Sequence, residues 1–161
     1  MPAIKLLGPR EWRRLRDVRL SALRESPHAF LSTYGQEKGY SERQWRAEFT
    51  RGEWNIGFEE ARPVSLLGVT REFNAPAGEC YLEYLWVAPE CRRSGIARTM
   101  LTDVLSRLRH GGTRIVFLWV LDGNELAMHL YKTVGFSSTN HRQPLRARPG
   151  RCEERMRLDL I

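Results

Sequence analysis

Val87-Ala88-Pro89-Glu90-Cys91-Arg92-Arg93-Ser94-Gly95-Ile96-Ala97 is the stretch that decides how this chain is read. An apolar strand runs into a tight basic loop, and the loop runs into a helix. The first turn of such a helix has backbone N–H groups without intrahelical partners and the positive end of the helix dipole. Arg92 and Arg93 add full charges beside it, and Gly95 and the small Ala97 let an oxyanion approach the backbone closely. This chemistry suits a pyrophosphate. Taken alone, the loop is equally compatible with a turn glycine flanked by solvated arginines. It is not the nucleotide P-loop, since no Gly-Lys-Ser/Thr follows, nor the dinucleotide fingerprint, whose glycine spacing is absent.

The flanking segments supply the context. Tyr81-Leu82-Glu83-Tyr84-Leu85-Trp86-Val87 is nearly all apolar or aromatic, as a central strand should be. Alternation puts Tyr81, Glu83, Leu85 and Val87 on one face and Leu82, Tyr84 and Trp86 on the other. Downstream, Ile96, Met100, Leu101, Val104, Leu105 and Leu108 form the stripe of a helix over 95–109 that stops at His110-Gly111-Gly112. A strand at Ile115–Val120 and a short helix from Asn124 to Thr133 follow. Gly135 then releases the chain into Phe136-Ser137-Ser138-Thr139. The stretch from His141 to Arg151 reads as loop, and Met156-Arg157-Leu158-Asp159-Leu160 alternates as a final strand.

Toward the N-terminus, Ile4-Lys5-Leu6-Leu7 is a short strand stopped by Gly8-Pro9. Trp12, Leu15, Val18, Ala22 and Leu23 recur at helical spacing, with Arg13, Arg14 and Asp17 on the wetter side, and Ser26-Pro27 ends that helix. A mixed loop or short helix carries Phe30, Leu31 and Tyr34. Ser41, with Gln44 three places on, forms a capping box for a second helix whose apolar edge is Trp45 and Phe49 and which Gly52 closes. Strands at 54–59 and 64–70 complete the order: strand, two helices, three strands, helix, strand, helix, two strands. The expectation is one α/β domain over residues 1–161, mostly antiparallel.

Composition narrows the class. A chain of 161 residues, 42% hydrophobic and 28% charged, fits one ordinary globular domain. No apolar run approaches a membrane span, and the start lacks the layout of a secretory signal, so a cytoplasmic protein is expected. Cys80, Cys91 and Cys152 have no paired spacing and read as ordinary thiols. His28, His110, His129 and His141 have no ligand-like spacing, so no metal is expected. Of the 26 basic residues 23 are arginine, and the net charge of +7 suits an anionic ligand, nucleic acid or phosphorylated cofactor alike. The charge is scattered and lacks a helix-turn-helix or aromatic-interleaved basic strand, which argues against nucleic acid.

Arg92-x-x-Gly95-x-Ala97 resembles the acyl-CoA-binding motif of the GNAT superfamily of N-acetyltransferases, Arg/Gln-x-x-Gly-x-Gly/Ala. Val87-x-Pro89 matches the usual strand exit. Asn124-Glu125-Leu126-Ala127 and Leu130-Tyr131-Lys132-Thr133-Val134-Gly135-Phe136 are similar to the family's Asn-x-x-Ala and Leu-Tyr-x-x-x-Gly-Phe signature at the right distance. The resemblance implies a mixed, mostly antiparallel sheet of six or seven strands, flanked by about four helices and splayed at its central parallel strands. It also implies that acetyl-CoA is the acyl donor.

By the same resemblance, Arg92, Arg93, Ser94, Gly95, Ile96 and Ala97 cradle the pyrophosphate, and backbone N–H groups near Leu85 and Val87 hold the pantetheine arm and polarise the thioester. A bound primary amine attacks directly, without an acyl-enzyme. Tyr131 is the implied general acid, and Asn124 either contacts the arm or only caps its helix. Glu83, the one carboxylate inside the apolar strand, is the candidate base, with burial raising its pKa; Glu79 is the reserve. Many family members place that glutamate two residues earlier, where this chain has Tyr81.

Phe30, Tyr34 and Trp45 are candidates for the acceptor pocket. Carboxylates at Glu37, Glu42 and Glu48 would favour a polyamine or aminoglycoside, whereas arginines from Arg142 to Arg151 would favour an amino acid or peptide bearing a carboxylate. A non-catalytic acyl-CoA-binding sensor or scaffold is the alternative function. A homodimer is expected only because dimers are common.

Overall fold

The computed structural model describes residues 1–146 and 148–161. Strands β1 (Ala3–Leu6), β2 (Gly52–Glu59), β3 (Arg62–Thr70), β4 (Glu79–Val87), β5 (Ile115–Leu121), β6 (Ser137–Pro144) and β7 (Cys152–Asp159) form one sheet in the order β1-β2-β3-β4-β5-β7-β6. Every neighbouring pair is antiparallel except β4 and β5, which run parallel. The helices are α1 (Trp12–Glu25), α2 (Tyr34–Lys38), α3 (Glu42–Thr50), α4 (Ile96–His110) and α5 (Glu125–Val134), with a 3₁₀ turn at Pro89–Cys91.

Alternation along β2 sorts the helices into two layers. Trp54 lies under Arg19 of α1, while Gly57, of opposite parity, faces Met100 of α4 and Asn55 bonds Arg107 of α4. Thus α1 and α3 cover one face and α4 the other. Leu15, Trp54, Ile56 and Leu66 are among the residues buried in the core, as are Leu67, Met100, Leu101 and Met156. Both short helices begin with capping boxes, Thr33 with Gln36 before α2 and Ser41 with Gln44 before α3. Among the described residues no helix is long and apolar enough to cross a membrane.

Two bulges revise the reading of the strands. Gly68 pairs with Glu83 but Leu66 pairs with Trp86, so β4 carries one extra residue, and Tyr84 absorbs it in the left-handed region at φ +58°. The alternation past Glu83 is therefore reversed: Trp86 shares a face with Tyr81 and Glu83, and Val87 falls on the face of Leu82. The second bulge, at Asn140 (φ +60°), lies inside β6. The stretch after His141 is thus strand as far as Pro144, not loop. Its polar residues on a sheet edge gave no apolar period to read. The last strand likewise starts at Cys152, four residues before its apolar alternation begins. Gly52 opens β2 rather than closing a helix.

Candidate active site at the β4–β5 splay

Strands β4 and β5 pair only from Glu79–Leu82 against Ile115–Leu118 and then part. Beyond Leu82 the β5-facing edge of β4 has no strand partner among the described residues. A cavity of about 320 Å³ occupies the opening. Leu82, Glu83 and Tyr84 of β4 line it, with Trp119 and Leu121 of β5 and Glu153 of β7 opposite. Ala29, Phe30 and Leu31 from the α1–α2 connection roof it, and Arg51 closes it behind α3.

Tyr84 fixes the bulge from above. Its ring stacks on Phe30 with centroids 5.6 Å apart and meets Trp54 edge-on at 5.8 Å. Its hydroxyl accepts from Arg19 Nη2 at 2.9 Å. Burial pushes this phenol well above the usual tyrosine range, so it stays neutral. Glu83, one residue earlier, is a third exposed and its Oε2 accepts from Arg51 Nη2 at 2.9 Å. It is thus an ion-paired carboxylate at the cavity wall, not the dehydrated one that an apolar strand suggests.

The basic loop has the geometry of an anion cradle. Gly95 caps α4 at φ +85° and Arg93 also lies at positive φ, +60°. Thr99 N–H is the residue bonding back to Gly95 O, at 3.0 Å. The N–H groups of Ile96, Ala97 and Arg98 precede it in the first turn, free of intrahelical acceptors. Arg92 serves the loop itself: Nε donates to Val87 O at 2.9 Å, and Nη2 to Glu25 Oε2 at 2.7 Å and Ser26 Oγ at 3.1 Å. Glu25 also accepts from Trp86 Nε1 at 2.8 Å, so α1, β4 and the loop are tied at one carboxylate. Arg93 and Ser94 are exposed, and Leu85 and Val87 are half-buried on the unpaired edge. Free N–H groups, a glycine cap and an open strand edge fit the diphosphate and amide arm of a coenzyme A thioester.

Tyr131 sits on α5 with its ring 5.9 Å from Phe136, edge-on, and desolvation pushes its pKa up to about 12. No residue of α5 is fully buried, although Ala127, Met128, Leu130 and Tyr131 pack against the core. Asn124 caps this helix, its Oδ1 accepting from Ala127 N–H at 3.2 Å, which leaves the side-chain N–H₂ free to donate elsewhere.

The expected acceptor residues divide. Phe30 lines the cavity. Trp45 does not: it is 2% exposed, under Arg19 and beside Tyr40. Tyr34 also lies outside it and bonds Arg24. The carboxylates expected there are engaged elsewhere, Glu37 and Glu48 with Arg19 and Glu42 with Arg46. Three of the four arginines expected to overhang it are engaged too. Arg148 donates to the carbonyls of Pro27, His28 and Phe30 at 2.7–2.8 Å, while Arg142 and Arg151 bond Asp122.

Glu153 and Arg51 are the cavity's unforeseen members. Continuing the alternation of Met156 and Leu158 backward puts Glu153 on the face opposite theirs, which the register with β5 makes the face of Trp119. Burial pushes the Cys80 thiol up to about 11, and Cys91 is raised by burial and by Glu59, which makes both poor nucleophiles. Among the described residues no group of three or more His, Cys, Asp or Glu is placed to hold a metal ion.

Solved structures share this architecture. A ribosomal-protein-alanine N-acetyltransferase from Brucella melitensis aligns with a TM-score of 0.76 at 18% identity, covering 98% of this chain and 99% of that one. An N-acetyltransferase from Staphylococcus aureus gives 0.79 at 15% identity, over 100% and 99%. An IAA acetyltransferase from Bacillus cereus gives 0.69 at 13% identity, over 99% of each chain. Identities this low carry the fold and not the acceptor. No curated protein matches the sequence at a significant level. The family follows from the sequence match rather than the fold: residues 16–136 match the Acetyltransferase (GNAT) family, spanning the anion loop, the splayed strands and Tyr131, so this chain belongs to that family and is a GNAT acetyltransferase.

Proposed function

We propose that the protein moves the acetyl group of acetyl-CoA onto a primary amine seated in the β4–β5 cavity, by direct attack within a ternary complex. The observation that carries this reading is the splay itself. One strand, β4, ends in the anion cradle and, along its unpaired length, lines a cavity bearing carboxylates. Acetyl-CoA supplies the activated acyl group; the chain's own residues do the rest.

The first-turn N–H groups of α4 bind the diphosphate, and the free edge of β4 near Leu85 and Val87 binds the arm and stabilises oxyanion charge as it develops. Glu83, oriented by Arg51, accepts the proton that the ammonium must lose, directly or through water. The amine nitrogen then bonds to the carbonyl carbon as the C–S bond breaks. Tyr131, kept protonated by desolvation, donates its proton to the departing thiolate and is reprotonated by the second proton that the acylated nitrogen sheds as the neutral amide forms. Neither Cys80 nor Cys91 takes part.

A thiol-release assay with acetyl-CoA and a panel of amines tests this. Amine-dependent release that falls in Tyr131→Phe supports it. Tight acetyl-CoA binding with no release for any amine would leave a binding module in its place.

A further inference from the structure

Glu153 is 6% exposed, faces the cavity, and has no cationic partner within 4.0 Å among the described residues. Its Oε1 accepts from the neutral Gln143 Nε2 at 2.6 Å. A buried carboxylate held by one amide is costly unless a cation completes it. The cavity lining supplies none that is unpaired. Arg51 is paired with Glu83 and Glu48, and Arg142 with Asp122. Arg148 is bound by three backbone carbonyls, and Arg151 donates to Asp122 O. Arg155, two residues along β7, has no carboxylate partner among the described residues but leans over Phe117 at 4.7 Å and lines a separate cavity beside Tyr81. The rest of the lining is apolar or aromatic, with Phe30, Leu82, Tyr84, Trp119 and Leu121 among it.

From this we infer that the acceptor is a primary amine on an apolar, ring-sized body without a carboxylate, and that Glu153 is the residue that holds its ammonium. The inference rests on the reading of this cavity as the acceptor site. The cavity has one carboxylate more than it has guanidinium, so a single positive charge is the complement. An acceptor carboxylate would lie beside Glu83 and Glu153, and the one guanidinium in the lining, Arg51, is already paired. The volume, about 320 Å³, is at the small end of ligand pockets, and Phe30 and Trp119 contribute apolar ring surface rather than hydrogen-bonding groups.

The test is calorimetry in the presence of coenzyme A, which permits acceptor binding without turnover. 2-Phenylethylamine, phenylalanine and 2-phenylethanol are titrated into the wild type and Glu153→Gln, with acetyl-CoA affinity measured separately. The wild type should bind the amine at least about tenfold more tightly than either comparator, and Glu153→Gln should weaken the amine by roughly 10- to 100-fold, the range for a hydrogen bond to a charged group, while leaving 2-phenylethanol unchanged. Should Glu153→Gln not fold, Glu153→Asp retracts the carboxylate by one methylene and should weaken the amine selectively.

Equal amine affinity in wild type and variant would overturn the proposal by making Glu153 a structural carboxylate only. Phenylalanine binding as well as the amine would overturn the substrate class, as would no amine binding beside intact acetyl-CoA binding. Failure of acetyl-CoA itself to bind would sink the transferase reading and this one with it, and is recognised by that separate titration.

Discussion

Tyr131 and Glu83, the proposed acid and base, differ in what holds each in place. Tyr131 is kept neutral by desolvation, with a pKa of about 12, so the phenol stays protonated through any ordinary assay pH. Tyr131→Phe should lower kcat by about 10²- to 10⁴-fold with acceptor KM little changed, the usual scale for removing a general acid. Because the protonated form is the active one, kcat should show no alkaline loss from this group below about pH 11. A fall between pH 8 and 10 that vanishes in the variant would place the Tyr131 ionisation below the range its burial sets, and a variant with wild-type kcat would contradict the assignment. Glu83 instead rests in an ion pair, and its partner matters as much as it does. Arg51→Met should let the Glu83 carboxylate wander and raise acceptor KM, read in initial-rate kinetics, whereas acetyl-CoA affinity should hold. Both candidates were picked out from the sequence, Tyr131 by its place in a motif that resembles the family's and Glu83 as the lone carboxylate in an apolar strand; the structure adds their surroundings. Arg51 was not, because an arginine following a polar helix carries no local sign that it will turn into a cavity.

The elements around the site are pinned by side chains that bond backbone. Arg148, from the β6–β7 connection, binds three carbonyls of the α1–α2 connection and so fixes Phe30 over the cavity. Arg148→Ala leaves those carbonyls to water and should cost about 1–3 kcal/mol, the range for hydrogen bonds to a charged donor, measurable by urea denaturation. Amide hydrogen exchange should rise at residues 27–31 and acceptor KM should rise with it, while acetyl-CoA affinity stays. On the opposite side of the site, Gly95 holds the left-handed cap of α4, where a Cβ meets only the Met1 side chain at 3.4 Å. The constraint there is conformational, not steric crowding. Gly95→Ala should therefore destabilise by roughly 1–2 kcal/mol and weaken acetyl-CoA by turning the first-turn N–H groups off axis, read by calorimetry. Elements whose period is clean, such as α1, α4 and β5, were legible from sequence. The bulges at Tyr84 and Asn140 were not, since an inserted residue reverses alternation without changing composition.

Across the whole molecule, one buried charge joins the layer that roofs the site to the sheet beneath it. Arg19 of α1 is 1% exposed; it donates to Glu37 of α2 at 2.7 Å, to Glu48 of α3 at 2.9 Å and to the Tyr84 hydroxyl in the β4 bulge. Its guanidinium also lies 4.2 Å from the Tyr84 ring centre and within 5.4 Å of those of Trp45 and Trp54. Helical periodicity alone does not separate this arginine from the solvated ones on α1, and Glu37 carries no sequence mark of being fully buried. The network is not fully satisfied, since Arg19 Nε and Glu37 Oε1 lack partners among the described residues. That makes its stabilising value small and its removal by halves expensive. Arg19→Met alone strands Glu37 and should cost about 3–5 kcal/mol in urea denaturation, whereas Arg19→Met with Glu37→Leu should recover most of that loss. Acceptor binding should not recover with it. Without the guanidinium the Tyr84 hydroxyl loses its donor, the bulge loses its anchor, and Phe30 loses a fixed ring to stack on. A double variant that regains both stability and wild-type acceptor KM would show that the bulge is held by packing alone; stability regained with KM still raised would show that the buried charge is kept to shape the site.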